Sequence, residues 1–326
     1  MDVHMTVRTN PALAAMLTLV ASSLVAGTTL LAKSLGTDTL GPALHPLQAS
    51  HGRFIFALMG FAVAGAFLRP RIVAPRWRIH GLRVLLGWAG ISLMFTATVF
   101  IPLSDATAIS FLNPVVTMLL AIPLLGETVG KVRISAAVIA LTGAIILLRP
   151  TPDAFQPAAL FALGAAVMLG FEMIMLKQLS GREGPYQVLL LNALIGTVIA
   201  SVAVLPVWRM PTPEQWAALV AVGLVMASSQ AIFIQAIQRA DASFVAPFWY
   251  ATLVFAALYD FGLFGVVPDA VSVLGALVIT SGAGLLAWRE ARLRGRAAPV
   301  MPSTAIPSGT VTTPPASPPP SQPGPR

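Results

Sequence analysis

Ser110-Phe111-Leu112-Asn113-Pro114 and Ser243-Phe244-Val245-Ala246-Pro247 stand 133 residues apart, and the register they share decides the fold. Extended outward without a gap, it lays Gly90 to Glu127 over Gly223 to Asp260. Phe100, Ile101, Leu120 and Leu125 then meet Phe233, Ile234, Leu253 and Leu258. A second anchor agrees: Leu31-Ala32-Lys33-Ser34-Leu35 resembles Met175-Leu176-Lys177-Gln178-Leu179. Gln48 and Arg53 also align with Gln187 and Asn192, at an offset of 139, which places Arg53 and Asn192 at equivalent, opposed positions. The chain reads as two copies of one unit, and a duplicated unit in so apolar a chain points to a transporter.

The composition fixes the surroundings. A mean hydropathy of +0.83, with 56% hydrophobic and 10% charged residues, leaves too little polar surface to cover a water-soluble globule. A helix crossing the roughly 30 Å hydrocarbon core needs about 20 apolar residues. Runs of that kind predict ten spans near 12–33, 46–68, 81–102, 104–125, 132–149, 157–179, 185–207, 215–237, 241–265 and 270–288. Long unbroken apolar runs lack the alternation of a lipid-facing barrel strand, so the expected class is an all-α integral membrane protein. The run from Pro11 is too long for a signal-peptide core, and the flank Gly36-Thr37-Asp38-Thr39 has no small-residue cleavage pattern.

Charge gives the orientation. With residues 1–10 in the cytoplasm, sixteen of the 20 Lys and Arg fall on the inner side, leaving Lys33, Arg53, Arg149 and Arg209. The formal charge of +8 is therefore an orientation signal. No basic stripe with interleaved aromatics suggests nucleic acid. Two five-span units, residues 11–149 and 150–290, must enter the bilayer with opposite polarity, which predicts inverted repeats and a central site that opens alternately to each side. Residues 291–326 are basic and then rich in Pro, Ser and Thr, a composition that predicts a disordered cytoplasmic tail.

Phe111-Leu112-Asn113-Pro114-Val115-Val116, then Leu124-Leu125-Gly126-Glu127, then Ala140-Leu141-Thr142-Gly143-Ala144-Ile145-Ile146-Leu147 resemble the fourth and fifth helices of EamA-domain proteins of the drug/metabolite transporter superfamily. The resemblance covers about residues 11–290. It implies ten helices in two five-helix repeats, both termini inside, and a secondary transporter in a bacterial cytoplasmic (inner) membrane. It further implies solutes such as amino acids, nucleotide-related metabolites, drugs or vitamins, with riboflavin-type uptake and amino-acid efflux both open. In the second copy Tyr259-Asp260 replaces Gly-Glu, and about six extra residues precede Pro268.

Ionisable residues at membrane depth mark candidate sites, because each needs a cavity or a partner. Arg53 could hold a carboxylate or phosphate through its planar fork, or snorkel outward beside His51. Glu172 could bind a cation, couple transport to a proton, or pair with Lys177. Asn192 joins them as the counterpart of Arg53, and Trp249 and Tyr250 after Pro247 could stack on a flat solute or pack as core. Pro114 and Pro247 are candidate paired kinks, and Glu127 reads as a structural interface charge one turn before Lys131.

No nucleotide-binding, metalloprotease or nucleophile-elbow motif occurs, the four histidines are scattered, and there is no cysteine, so no cofactor, metal or catalytic residue is expected. The expected partners are a small-molecule metabolite and the lipid bilayer, and the sequence allows a homodimer. Two other readings stay open: a membrane-embedded enzyme acting on a lipid or isoprenoid, and a non-transporting scaffold recruiting partners through its Pro-rich tail. Reporter fusions test the topology: those after Arg71 and after Arg292 should read as cytoplasmic and one after Arg149 as the opposite side. A cytoplasmic signal after Arg149 would remove the five-plus-five arrangement.

Overall fold

The computed structural model describes residues 10–68, 70, 72–125, 131–148, 156–179, 183–237, 239 and 248–296. Among them every regular element is helical. The first half contains α1 (Pro11–Gly36), α2 (Pro46–Leu68), α3 (Trp77–Phe100), α4 (Leu103–Ser110), α5 (Asn113–Leu125) and α6 (Lys131–Leu148). The second contains α7 (Ala159–Leu179), α8 (Pro185–Val204), α9 (Pro213–Ile237), α10 (Ala251–Phe264) and α11 (Ala270–Arg296). Seven described stretches are long and apolar enough to cross a bilayer, and three shorter apolar helices lie at Ala137–Ile146, Ala251–Phe264 and Ala270–Gly282.

Local chemistry sets several boundaries. Asn10 caps α1, its side-chain oxygen accepting from the Leu13 N–H at 3.0 Å, and Pro11 occupies the first turn, where a missing N–H costs nothing. The span expected at 104–125 is divided into α4 and α5, with Phe111 and Leu112 in a turn between them. Pro114, second in α5, has no N–H to donate to the carbonyl of Ser110, so the α-helical ladder cannot run through this point. In the second half, residues 240–247, including Pro247, lie outside the described residues. At its far end α10 stops at Gly265, whose φ of +65° only glycine adopts without strain, and its N–H bonds the Phe261 carbonyl at 2.9 Å.

Helix packing follows the repeat. α1 lies against α9 as α3 lies against α7; α2 against α9 as α3 against α8; α1 against α10 as α5 against α7. α2 meets α8, α4 meets α10 and α6 meets α11. Exchanging the two halves maps each of these contacts onto another of them, whereas the contacts of α1 with α2 and α3 and of α2 with α3 have no counterpart among the described residues of the second half. Val198, Val202 and Leu205 are 60%, 66% and 72% exposed, an outward apolar face that water would not leave uncovered but lipid tails would. Because lipid is as apolar as leucine, helices associate through close backbone approach: a Cβ on Gly143 of α6 would lie 2.6 Å from the Ile279 nitrogen and 2.8 Å from the Gly275 oxygen of α11.

Two buried glutamines tie the halves together in matching ways. Gln48 donates to the Arg209 carbonyl at 2.7 Å and accepts from the Arg209 N–H at 3.1 Å. Gln187 does the same to Val73, donating at 3.0 Å and accepting at 2.8 Å. Each amide clamps one residue of the other half's loop. The sequence offset of 139 had paired these glutamines, and they hold equivalent places.

Beside the second clamp, Glu183 accepts hydrogen bonds from His80 Nε2 at 2.8 Å, Gln187 at 2.7 Å and the Arg76 N–H at 3.2 Å. Burial acts to raise the Glu183 carboxyl's pKa, and these hydrogen bonds, with the attraction of His80, outweigh it and hold the carboxyl below its ordinary 4.5. A folded pKa below the unfolded one adds stability that is complete above about 4.5 and disappears as pH falls through the folded value. Thermal melting followed from pH 7 down to about pH 3 should therefore show stability falling more steeply below 4.5 in the wild type than in Glu183→Gln. Parallel curves would remove Glu183 from the acid response.

A buried charge cluster between the two halves

Arg83 lies nearly two turns into α3 and is 4% exposed. One guanidinium nitrogen donates to Glu172 of α7 at 3.1 Å; the other donates to the Asn192 side-chain oxygen and the Val188 carbonyl of α8, each at 3.3 Å. A planar fork suits this task because its donors are fixed in direction. Close packing makes room for the carboxylate: a Cβ on Gly87, one turn further along α3, would lie 2.8 Å from the Glu172 carboxyl carbon, so a larger side chain would displace it. Arg53 approaches from α2, 7% exposed, within electrostatic reach of Glu172 and 4.8 Å from the Phe54 ring centroid.

Two of the residues singled out in the sequence, Glu172 and Asn192, thus meet through Arg83, and a third, Arg53, lies within electrostatic reach of Glu172. Their link, Arg83, was counted in the sequence only as an inner-side charge, although it already lay inside the predicted span 81–102. His51 turns away from Arg53: its Nε2 is 3.1 Å from the Ser201 hydroxyl and its ring meets Trp208 edge to face. The side chain of Lys177 lies outside the described residues. Trp249 packs on Phe233, ring centroids 4.4 Å apart, and Tyr250 on Phe111 at 5.2 Å. None of the described hydrogen bonds or ring contacts joins these two rings to Arg53 or Glu172. Glu127 and Pro247 lie outside the described residues, and among the described residues no cluster of His, Asp or Glu could hold a metal.

Another buried ion pair lies at the C-terminal end of α1. Lys33 donates to Asp260 of α10, whose second oxygen accepts the Leu103 N–H at 2.8 Å, so one carboxylate answers both a lysine and the first turn of α4. Asp260 is 1% exposed. Its role was in doubt from sequence because Tyr259-Asp260 departs from the Gly-Glu pattern; the partner that explains it stands 227 residues away.

A duplicated helical bundle with lipid-compatible flanks and a charged centre at the seam of its halves has the architecture of a multi-span membrane transporter. Comparison with known proteins identifies which kind: the EamA-like transporter family matches residues 12–149 and 156–288, and the chain belongs to it. Among curated relatives, a riboflavin transporter of Vibrio cholerae is 32% identical over 230 residues, 70% of this chain and 77% of its own length. An S-adenosylmethionine uptake transporter of Rickettsia bellii is 27% identical over 77% of this chain and 87% of its own. A pseudopaline exporter of Pseudomonas aeruginosa is 25% identical over 61% and 70%. A solved structure with a TM-score of 0.58 and 19% identity covers 88% of this chain and 99% of its own, a likeness of fold. The protein is thus a membrane-embedded member of a bacterial transporter family whose named relatives are transporters, not enzymes.

The Lys33–Asp260 pair lends itself to a charge test. Removing one partner of a buried pair leaves the other charge unsatisfied and costs about 3–5 kcal/mol. Asp260→Asn should therefore lower the melting temperature of the detergent-purified protein strongly. Combining it with Lys33→Met should restore most of the loss, since the asparagine oxygen still accepts from Leu103 and no lone charge remains. Equal melting of the single and double variants would show that the pair contributes little.

Proposed function

We propose that this protein is a secondary transporter that moves a small metabolite across the bacterial cytoplasmic membrane by alternating access between two inverted five-helix halves. Ten spans place residues 11–149 and 150–290 in opposite orientations, with both termini in the cytoplasm. The exchange-symmetric helix packing and the twin glutamine clamps support this arrangement, because two halves related in that way can trade conformations about a shared centre.

The observation that carries the reading is the Arg83–Glu172 pair with Arg53 beside it. Ionisable groups this deep are retained where they face a pathway or a partner, and here they lie where the halves meet. Arg53, Glu172 and Asn192, joined by Arg83, form the polar centre that engages the solute. The charged groups facing Glu172 are Arg83 from α3 and Arg53 from α2. Lacking a nucleotide-binding motif, the protein draws on a gradient or on exchange, and Glu172 is the carboxylate positioned to exchange a proton between its arginine partners. Relatives named for riboflavin and S-adenosylmethionine uptake and for pseudopaline export support a small organic solute and leave the direction to be measured.

Untargeted metabolite profiling of cells with and without the protein identifies the solute. Uptake against pH in proteoliposomes, normalised to monodisperse protein, then tests the coupling. Glu172→Gln keeps the shape and loses the titratable proton, so pH dependence should vanish while the protein stays folded. Wild-type pH dependence persisting in that variant would end the coupling role, and lower abundance with unchanged kinetics per folded molecule would assign Glu172 to packing.

A further inference from the structure

The last two helices leave a cleft well away from the charged centre. α10 and α11 follow one another in sequence, yet among the described residues they share almost no contact: α10 lies on α1 and α4, and α11 on α6 and α4. A cavity of about 570 Å³ opens between them, and α4, which touches both, closes its back with Ser104 and Asp105. The residues added before Pro268 in the second copy fall at its mouth, where Val267 and Pro268 complete the lining.

Its walls suit lipid. Val254, Leu258 and Phe261, four and three residues apart on one side of α10, are exposed, as is Leu277 of α11, so the opening is an apolar one on the flank of the bundle. From Val254 to Phe261 the helix rises about 10 Å, room for part of an acyl chain. The polar lining gathers at one end. Asp105 and Ser272 stand third in α4 and α11, in the first turn of each, where the chain turns at the membrane boundary, and both are buried. Ser272 donates its hydroxyl to one carboxylate oxygen of Asp105 at 2.8 Å, and Ser104 donates to the other at 3.4 Å. A carboxylate offers about four lone-pair positions, more than two serine hydroxyls fill.

We propose that this cleft holds a membrane phospholipid with a primary-ammonium headgroup, its acyl chain along α10 and its ammonium donating to Asp105. Charge complementarity selects the headgroup. A carboxylate repels an anionic lipid and accepts from an N–H, so an ammonium with three N–H donors is favoured over a trimethylammonium, which keeps the charge and has no donor to give. Depth agrees, because headgroups lie at the level of helix ends and their chains run beside the spans. Packing agrees as well, since a tail laid in the cleft supplies contacts that α10 and α11 do not supply to each other. A second copy of the chain fits less well: a two-fold contact through this cleft would bring Asp105 toward its own copy, like charge against like. The inference depends on membrane embedding alone and not on the transport reading above.

Native mass spectrometry of the full-length protein in detergent, titrated with phosphatidylethanolamine and with phosphatidylcholine of identical chains, tests this. The two lipids carry the same phosphate, so arginines elsewhere at the membrane surface bind them alike and only the ammonium differs. Wild-type protein should bind phosphatidylethanolamine about tenfold more tightly, the gain of one charge-assisted hydrogen bond. Asp105→Asn should bring the two within about twofold of each other. Ala257→Trp, which puts an indole into the cleft, should weaken the binding of phosphatidylethanolamine and erase the preference. The lipid comparison uses wild-type protein alone, so it stands even where Asp105→Asn fails to fold. Equal binding of the two lipids by wild type, or a preference that persists in either variant, would overturn the assignment. So would a wild-type dimer that Ala257→Trp separates, which would give the cleft to a second copy of the chain.

Discussion

A polar group inside a bilayer must find its partner within the protein, and in this chain the paired charges find that partner in the other half. All three ion pairs among the described residues, Lys33–Asp260, His80–Glu183 and Arg83–Glu172, join the first half to the second. So do both glutamine clamps, the Ser272–Asp105 bond at 2.8 Å, the Tyr186–Phe61 bond and the Ser229–Ala21 bond. Bonds inside one half, such as Ser92 to Ser50, are the minority among long-range side-chain contacts. Buried hydroxyls such as those of Thr18, Thr98 and Thr107 bond within their own helix, but the ion pairs and amide clamps need the other half. The helices therefore interleave, α1 between partners from the second half and α7 between partners from the first.

Close packing and polar pairing then divide the work. Where helices cross without polar groups, small residues let backbones touch, as at Gly143 against α11 and at Gly223, where an added Cβ would meet the Ala57 nitrogen at 2.9 Å. Where they carry polar groups, the interactions are specific in direction and number, and they set which helix faces which. The charged cluster belongs to this second kind. It can sit deep because three helices, α3, α7 and α8, each bring one member of a bonded set, with Arg53 of α2 standing against them.

The all-helical membrane character was legible in sequence because long apolar runs need no tertiary knowledge; ten spans were expected, and seven described stretches are long and apolar enough to cross, with three shorter apolar helices beside them. Arg53, Glu172 and Asn192 were legible for the same reason, each being a polar interruption of an apolar run. Arg83 was not, because a charge two residues inside an expected span reads as part of the flanking loop until α3 is seen to start at Trp77. Partner choice was hidden altogether. Nothing local to Glu172 distinguishes Lys177, five residues on, from Arg83, 89 residues back. The division of the fourth span into α4 and α5 lay between the two: Pro114 announced a disturbance, and the N–H groups of Phe111 and Leu112, turned back onto the carbonyls of Thr107, Ala108 and Ile109, show how the end of α4 is closed.

The unequal residues at equivalent positions have a consequence of their own. Gln48 and Gln187 are identical and make the same bonds, whereas five residues further on the copies part, Arg53 in one and Asn192 in the other. A centre built from two like halves offers a bound molecule two indistinguishable poses, head one way or head the other. Arginine in one copy and asparagine in the other remove that degeneracy. Under the transport reading proposed above, a solute held there would have one end suited to each wall and would cross the protein with a fixed polarity.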